Sequence, residues 1–229
     1  MSFNTLLPQG YWIKKHTEAN GNIKLNHYFC GQHNVKGASC PNCKKPLLRF
    51  LSLNLEDTRL VKLKNSEFNS ISLFFCWTCK IAQNEFYYQI IDNVKIKLIR
   101  YTSGGVDKDF PYKNYPIYFP LNHAKLIELS DLEQETISKI NADEIKPSEV
   151  RKIDKNLSIP QHQIGGEPYL PQQELDKLIC PKCSNDMPFF VSIGNDSWGD
   201  KRFTSNDYVE VVYYYCERCS IIGSLQQCD

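Results

Sequence analysis

Eight of the ten cysteines in this chain form four Cys-x-x-Cys pairs, and the pairs make two sets with identical spacing. The members of the second set follow those of the first by 140 residues: Cys40, Cys43, Cys76 and Cys79 become Cys180, Cys183, Cys216 and Cys219. Several neighbours repeat at the same offset, namely Pro41 and Pro181, Phe50 and Phe190, Ser52 and Ser192, and Ile81 and Ile221. A fixed offset over this many positions indicates an internal duplication.

The cysteine sets predict two metal ions. Paired Cys-x-x-Cys motifs are typical of zinc sites, where four thiolates at about 2.3 Å complete a tetrahedral shell. We therefore expect two structural Zn²⁺ ions, one in each set, with no coordination position left for water or substrate. A redox-active dithiol is the alternative for a single pair, although a thioredoxin-type motif needs no second copy. Iron–sulfur ligation by four thiolates remains an alternative identity for the metal.

The 32 residues between the two pairs of each set predict the fold class. Such a linker exceeds the usual 15–20 residues of a zinc ribbon, so it must contain structure. It holds an apolar run, residues 47–55 or 187–193, and then an aromatic and β-branched run that enters the second pair. Both runs favour strands. We expect an α+β but predominantly β, internally duplicated, pseudo-twofold fold with a four-cysteine zinc site in each repeat.

The rest of the chain predicts three segments packed as a single domain. Residues 1–120 form the first repeat, 121–160 a partly helical connector, and 161–229 the second repeat. Residues 86–91 and 94–99 alternate about the turn Asp92-Asn93, which predicts a hairpin. Residues 107–120 predict an irregular loop. Ser130 and Glu133 predict a capping box for a helix reaching about residue 143, and a second short helix is expected after Pro147 with Ser148 as its cap.

Composition and missing motifs limit the function classes. The formal charge is +1 and 41% of residues are hydrophobic, which suits a globular protein but not one dominated by phosphate-backbone binding. No apolar run is long enough to span a bilayer, and the first 15 residues contain no signal-peptide stretch, so we expect a soluble, cytoplasmic protein. Nucleophile-elbow, zinc-protease, Walker and dinucleotide-binding motifs are missing from the sequence, which predicts that the protein is not an enzyme. Cys30 and Cys228 do not follow the repeat and are expected to be ordinary thiols.

One further motif begins at His162 and continues through Gly165, Gly166, Glu167 and Tyr169. The double glycine predicts a tight turn with positive φ and close backbone approach, followed by an extended Pro-x-x-Pro stretch. Binding of an anion by the backbone N–H groups of the turn is the alternative, although no helix of Gly-rich-loop type follows. We take these five residues as candidates for contact with a partner.

The chain resembles the bacterial YwqG-like family. The resemblance rests on residues 162–168 with Gln172, the Cys-Pro-x-Cys pair, the run at 189–193, and the terminal Tyr-Tyr-Tyr-Cys-x-x-Cys. It is similar in layout to the eukaryotic programmed-cell-death-protein-two family. The resemblance implies a pseudo-twofold β-rich fold without established catalysis. The implied roles are in protein binding, as immunity against a toxin in bacteria or as escort of a ribosomal protein in eukaryotes.

Two functions of different class follow. The first is a zinc-stabilised, non-enzymatic protein-binding module, in the form of a bacterial toxin-neutralising immunity protein or a dedicated chaperone, which holds one toxin or client protein. The 13 tyrosines and 12 phenylalanines favour it, because aromatic residues are enriched at interfaces. The alternative is a zinc-ribbon-like nucleic-acid-binding protein, which would use Trp77 and the basic residues Lys44, Lys45, Lys80 and Lys182. An enzyme with an unrecognised site near His162 and Glu167 is a third, weaker reading.

Overall fold

The structure is a computed structural model. It describes residues 4–16, 27–79, 85–106, 110–169, 177–195, 197–198, 201–203 and 209–228. The described chain is predominantly β. One antiparallel sheet contains eleven strands: β1 (Tyr11–His16), β2 (His27–Phe29), β3 (Leu48–Asn54), β4 (Ser70–Phe75), β5 (Phe86–Asp92), β6 (Lys95–Arg100), β7 (Asn122–Glu128), β8 (His162–Ile164), β9 (Phe189–Gly194), β12 (Val209–Cys216) and β13 (Ile221–Cys228). Two-residue strands β10 (Ser197–Trp198) and β11 (Lys201–Arg202) pair with each other.

The sheet is curled, so that its first strand, β4, lies close to β5 and the following turn at the other end. The strand order is β4-β3-β2-β7-β1-β8-β9-β12-β13-β5-β6. At the β4 end, the Tyr88 hydroxyl on β5 donates to the Ser72 carbonyl over 3.0 Å and accepts from the Phe74 N–H over 3.1 Å. The Asn93 side-chain oxygen likewise accepts from the backbone N–H of Asn69, over 3.0 Å. Side chains therefore satisfy backbone groups of β4 that would otherwise form an open edge.

The principal core lies on the inner face of this curl. Alternate residues of the strands point there, as the two-residue period of a strand requires. Residues from both ends of the chain contribute, among them Ile13, Phe29, Phe50, Phe74, Phe190, Val211, Tyr213 and Tyr215. A smaller cluster on the other face contains Val212 and Tyr214, together with the second cysteine set. The two halves of the chain thus share one core and one sheet.

Two runs of strands have the same local arrangement. β2 pairs with β3 and β3 with β4, and in the same way β8 pairs with β9 and β9 with β12. The bounds of β3 and β9, and of β4 and β12, agree with an offset of 140 to within one residue. The four strands predicted from the apolar runs are confirmed. β5, in contrast, pairs with β13 of the other half rather than with β4.

The predicted hairpin is confirmed as β5 and β6, but its turn is Asn93-Val94 rather than Asp92-Asn93, because Asp92 is still paired in the ladder. Its register joins Ile90 to Ile96 and Asp92 to Lys95. Lys95, Lys97 and Arg100 are exposed while Ile96 is buried, as an alternating surface strand requires. Residues 110–120 contain no helix or strand, in agreement with the predicted irregular loop.

The segment 121–160 is partly helical, as expected, but it also contains a strand that the sequence analysis did not identify. β7 lies between β2 and β1 in the sheet. Helix α1 (Asp131–Asn141) begins at the predicted capping box, in which Ser130 and Glu133 each cap the other's backbone N–H. A 3-10 turn (Pro147–Glu149) precedes helix α2 (Val150–Ile153). Ser148 is not a cap: it lies inside that turn, because Pro147 takes the first position of the turn.

The helices in the described part of the chain are too short and too polar for any of them to cross a membrane.

Candidate metal centres

The first Cys-x-x-Cys pair of each set forms the same tight turn. The Cys40 N–H donates to the Lys45 carbonyl over 2.8 Å, and the Lys44 N–H donates to the Cys40 carbonyl over 3.0 Å. In the second set, the Cys180 N–H donates to the Asn185 carbonyl and the Ser184 N–H donates to the Cys180 carbonyl, both over 2.9 Å. The residue after the second cysteine is left-handed in each turn, with φ of 61° at Lys44 and 59° at Ser184. Proline after the first cysteine favours the turn, since its ring fixes φ.

The second pair of each set begins where a buried strand ends. β4 ends at Phe75, one residue before Cys76, and β12 ends at Cys216. Residues Glu217–Cys219 form a single 3-10 turn, which the left-handed Ser220 (φ 52°) terminates. β3 and β9 follow the first turns and pair with β4 and β12, so the sheet brings the two pairs of each set together. The long linkers between the pairs are these strands.

The sulfur atoms of each set form a compact group. Within each set all four Sγ atoms lie within 4.8 Å of one another. The distances are 3.2 Å for Cys40 to Cys79, 3.7 Å for Cys43 to Cys76, 3.6 Å for Cys76 to Cys79, and 3.7 Å for Cys183 to Cys216. A disulfide needs about 2.05 Å. A tetrahedron with Zn–S bonds of 2.3 Å has edges of about 3.8 Å, so the groups fit a four-thiolate zinc ion.

The electrostatics of the groups also favour a cation. Hydrogen bonding to neighbouring thiols and burial raise the pKa of the Cys76 thiol, because closely spaced thiolates repel each other. A divalent cation at the centre removes this penalty, since each thiolate then faces a positive charge. The Asn185 backbone N–H donates to Cys183 and lowers the pKa of that thiol to about 7. A zinc ion with four thiolates would carry a formal charge of −2, and Lys44, Lys45 and Lys182 lie next to the cysteines in the sequence.

The two centres differ in how the second turn is covered. At the first centre Trp77 and Thr78 are each only 4% exposed, and the Thr78 hydroxyl donates to Cys43 Sγ over 3.4 Å. At the second centre the equivalent residues Glu217 and Arg218 are exposed. The cysteines themselves have the same burial in both centres, so the difference lies in the residues between the cysteines of the second pair.

The cysteines outside the two sets do not join them. Among the residues whose side chains the structure describes, each group that could hold a metal consists of its four cysteines. Cys30 is buried, and its Sγ donates to the Phe50 carbonyl over 3.9 Å. The histidines near Cys30 have other roles. His27 contacts Asp57 Oδ2 over 3.0 Å, and His33 Nε2 donates to the Leu47 carbonyl over 2.7 Å. The side chain of Cys228 lies outside the described part.

Of the five predicted partner-contact residues, His162, Gly165 and Gly166 are buried, and Glu167 and Tyr169 are half-buried. His162 is 4% exposed, and its ring centroid lies 5.0 Å from that of Phe29. Gly165 and Gly166 have φ of 65° and 63°, which confirms the predicted tight turn. The carboxylate of Glu167 accepts from the Ser138 hydroxyl and the Asn141 amide, and Tyr169 packs against a small cluster around helix α1. These contacts join α1 to the sheet, and a role in partner contact stays a prediction.

A surface that the sequence analysis did not single out lies in the irregular loop at residues 110–121. We call it the aromatic loop. Tyr115 and Phe119 fix it to the core: the Tyr115 hydroxyl donates to the Phe203 carbonyl over 2.7 Å, and the Phe119 and Phe203 rings lie 5.0 Å apart. Four large apolar side chains point outward, namely Phe110 (42% exposed), Ile117 (50%), Tyr118 (45%) and Leu121 (52%). The signal in the sequence was the density of apolar residues among prolines.

The aromatic loop lies against the first metal centre. Residues 115–117 face Lys45, Pro46, Trp77 and Thr78 across a cavity of only about 10 Å³. Lys45 and Pro46 belong to the turn that holds Cys43, and Trp77 and Thr78 separate Cys76 from Cys79. The geometry of the first centre therefore determines where this part of the loop lies.

Comparison with known proteins identifies no relative: the chain matches no protein-family model, no curated protein and no solved structure.

Proposed function

We propose that the protein is a non-enzymatic protein-binding module in which two structural zinc ions stabilise a β scaffold. The observation that carries the proposal is the contact between the first cysteine group and the aromatic loop. A closed four-thiolate shell has a structural role, and here it supports a segment that presents four apolar side chains to solvent. Contiguous exposed apolar residues are typical of surfaces that bind proteins.

The absence of catalysis is part of the proposal. Four thiolates fill a tetrahedral zinc shell, so neither centre has a position at which a water or a substrate could be activated. In the described chain the buried pair His27 and Asp57 is occupied by structural hydrogen bonds, since His27 also accepts from the Asn54 backbone N–H over 3.1 Å. These observations support a scaffold rather than an active site.

We also propose that the chain arose by internal duplication. The matched offset of the cysteines, the matched turns and the equivalent pairing of β2-β3-β4 and β8-β9-β12 support this history. A relation to the YwqG-like family, a bacterial and cytoplasmic setting, and a role as an immunity protein or a chaperone belong to the same proposal. The partner in that case is a single toxin or client protein.

A nucleic-acid-binding role has less support. Trp77 is 4% exposed, so its ring is not accessible for stacking on a base. The Lys44 ammonium donates to the Pro41 carbonyl over 2.7 Å, which holds it at the turn. Lys80 lies outside the described residues.

The experiment compares the wild type with one double variant and one single variant, each as the zinc-loaded full chain. Ile117→Ser with Tyr118→Ser removes apolar surface from the aromatic loop, and Ile153→Ser removes an equally exposed side chain (49%) from helix α2. Each protein is expressed in its own host with an affinity tag, purified gently, treated with nuclease, and analysed by native mass spectrometry. We expect one protein to co-purify at 1:1 stoichiometry with the wild type and with Ile153→Ser, but not with the loop variant.

Two results would contradict the proposal. Equal recovery of the partner by all three proteins would show that the aromatic loop is not the binding surface. A complex that disappears with nuclease, and whose affinity falls steeply with salt, would favour the nucleic-acid alternative instead.

A further inference from the structure

A cavity of about 500 Å³ lies outside both metal centres. Its walls come from the loop that follows β2, from β3, and from the turn between β5 and β6, and they consist of Gln32, His33, Asn34, Val35, Arg49, Asn93 and Val94. The volume lies in the range of small-molecule sites, and the cavity opens to solvent, since Gln32, Asn34, Asn93 and Val94 are exposed. Neither the proposed function nor the metal centres make use of it.

The charge of the cavity comes from one residue. Arg49 is half-buried and is the only lining residue with a formal charge at neutral pH. Its Nε donates to the Cys30 carbonyl and its Nη2 to the Gln32 carbonyl, over 3.1 Å in both cases. Both acceptors are neutral, so they fix the guanidinium without neutralising it. Among the described residues no carboxylate forms an ion pair with Arg49.

A partly buried cation without a counter-ion is unfavourable, because its hydration is lost without compensation. The pKa of Arg49 reflects this, since burial lowers it from the ordinary value. Two of the five guanidinium N–H groups are used by the carbonyls, and the remaining donors are those an incoming anion would meet.

The other polar groups of the cavity bring no negative charge, and Asn93 adds hydrogen-bond donors. His33 Nδ1 accepts from the Val35 N–H while Nε2 donates to Leu47, so the ring is a neutral tautomer, and burial lowers its pKa. The Asn93 side-chain oxygen already accepts from the N–H groups of Asn69 and Ser70. The polar capacity that Asn93 retains is therefore its amide N–H₂.

The walls are held in place by backbone contacts. The Lys36 N–H donates to the Val94 carbonyl over 2.7 Å, and the Ile96 N–H donates to the Lys36 carbonyl over 2.9 Å. This close approach requires glycine next to Lys36, because a Cβ at Gly37 would lie 2.1 Å from the Ile96 carbonyl oxygen. The loop after β2 is thus fixed against the turn between β5 and β6.

We propose that this cavity binds a small molecule through an oxyanion, a carboxylate or a phosphate group, which the remaining donors of Arg49 hold. The site is independent of the aromatic loop, so it can fail while the proposed function stands. The oxyanion supplies the counter-charge that no carboxylate of the described residues supplies to Arg49.

The test is a titration of the zinc-loaded full chain, followed by ¹H–¹⁵N NMR of the arginine Nε–H groups. Inorganic phosphate and succinate are the two probes, and ionic strength is held constant with sodium chloride. We expect a saturable shift of the Arg49 Nε–H signal with at least one probe. Saturation by phosphate alone assigns a phosphate ligand, and saturation by succinate alone assigns a carboxylate ligand.

A matched pair of isosteric variants provides the control. Asn34→Asp places a carboxylate in the cavity next to Arg49 without removing the Arg49 hydrogen bonds, and Asn156→Asp makes the same charge change at an exposed position outside the cavity. We expect Asn34→Asp to weaken binding at least about tenfold and Asn156→Asp to leave it unchanged. The proposal is overturned if neither probe saturates the signal up to about 10 mM, or if both variants bind equally well.

Discussion

The side-chain amide of Gln89 donates a hydrogen bond to the carbonyl oxygen of Cys219 over 3.0 Å. Gln89 lies on β5, which follows the first cysteine group in the chain, whereas Cys219 belongs to the second cysteine group. The next backbone contact has the same direction, since the Ile90 N–H donates to the Ser220 carbonyl over 2.8 Å. The second centre therefore anchors a strand of the first half of the chain.

This connection predicts that loss of the second metal loosens β5. We expect Cys216→Ser to increase hydrogen exchange at the Ile90 amide by at least about tenfold, because the turn that accepts its hydrogen bond is no longer held by the metal. The exchange of β2 and β3 amides should change much less. Hydrogen–deuterium exchange with mass spectrometry measures both regions in one experiment.

Cys30→Ser is the matched control, since Cys30 is a buried thiol outside both groups. It should leave both metals bound and β5 protected. Equal loss of protection over the whole sheet in Cys216→Ser would contradict the prediction, because it would show global unfolding rather than release of one strand.

The two centres should release metal at different rates. Between the cysteines of the second pair, Trp77 and Thr78 are buried at the first centre, whereas Glu217 and Arg218 are exposed at the second. We expect the more weakly packed turn to open locally more often, so a chelator should remove the second ion roughly tenfold faster. A chromogenic chelator assay should show two phases of equal amplitude in the wild type. Cys216→Ser should retain only the slow phase and Cys76→Ser only the fast one. A single phase in the wild type would contradict this ordering.

The turn at Gly165 should tolerate no side chain. A Cβ there would lie 2.5 Å from the Gln9 carbonyl oxygen and 2.6 Å from the Leu7 Cβ, in a backbone conformation with φ of 65°. We expect Gly165→Ala to lower the free energy of unfolding by about 3 kcal/mol, from steric overlap added to backbone strain.

Gly104→Ala separates these two causes. Gly104 also has positive φ (90°), but its Cβ would have no neighbour within 4 Å. Its cost should be limited to about 1–2 kcal/mol of backbone strain. Urea unfolding at constant zinc concentration measures the stability of both variants. Equal losses of stability would show that the close contacts at Gly165 are not important.

Acid should destabilise the protein through His27 and Asp57. Burial lowers the pKa of His27, whose Nδ1 accepts from Asn54 and whose Nε2 donates to Asp57. Burial alone would raise the pKa of Asp57, but hydrogen bonds from Arg59 and His27 hold it well below its usual range. In both cases the unfolded chain takes up the proton at higher pH than the folded chain, so stability falls as pH falls.

The window for each group follows from its unfolded value. The contribution of His27 is lost below about pH 6.5, at up to about 1.4 kcal/mol per pH unit, and that of Asp57 below about pH 4. We expect His27→Gln to show a weaker dependence than the wild type between pH 7 and about pH 5.5, a range that lies above the window of Asp57. Urea midpoints over this range test the prediction, and identical slopes for the two proteins would disprove it.

The sequence was informative wherever the physical constraint is local. Cysteine spacing identified both ligand groups, and β-branched and aromatic runs identified β3, β4, β9 and β12, because ligand geometry and strand propensity act over a few residues. The capping box at Ser130 and the hairpin of β5 and β6 are local as well, and both were predicted, the hairpin turn to within one residue.

Long-range pairing was not accessible in the same way. β7 was missed because its seven residues follow a proline-rich loop and alternate only weakly between buried and exposed positions. It is a strand because it pairs with β2 and β1, which lie far from it in the sequence. The pairing of β5 with β13 joins residues more than a hundred positions apart, which no local pattern encodes. The aromatic loop was predicted as irregular, but the sequence did not show which of its side chains point outward. That depends on long-range packing, because Phe203 holds Tyr115 and Phe119 against the core.

The central claim is that each cysteine group holds one zinc ion, and native mass spectrometry of the reduced full chain tests it most directly. We predict a folded species with two zinc ions, and species with one zinc ion for Cys76→Ser and for Cys216→Ser. A folded, reduced protein that carries fewer than two metal ions, or whose mass identifies iron in place of zinc, would contradict the account.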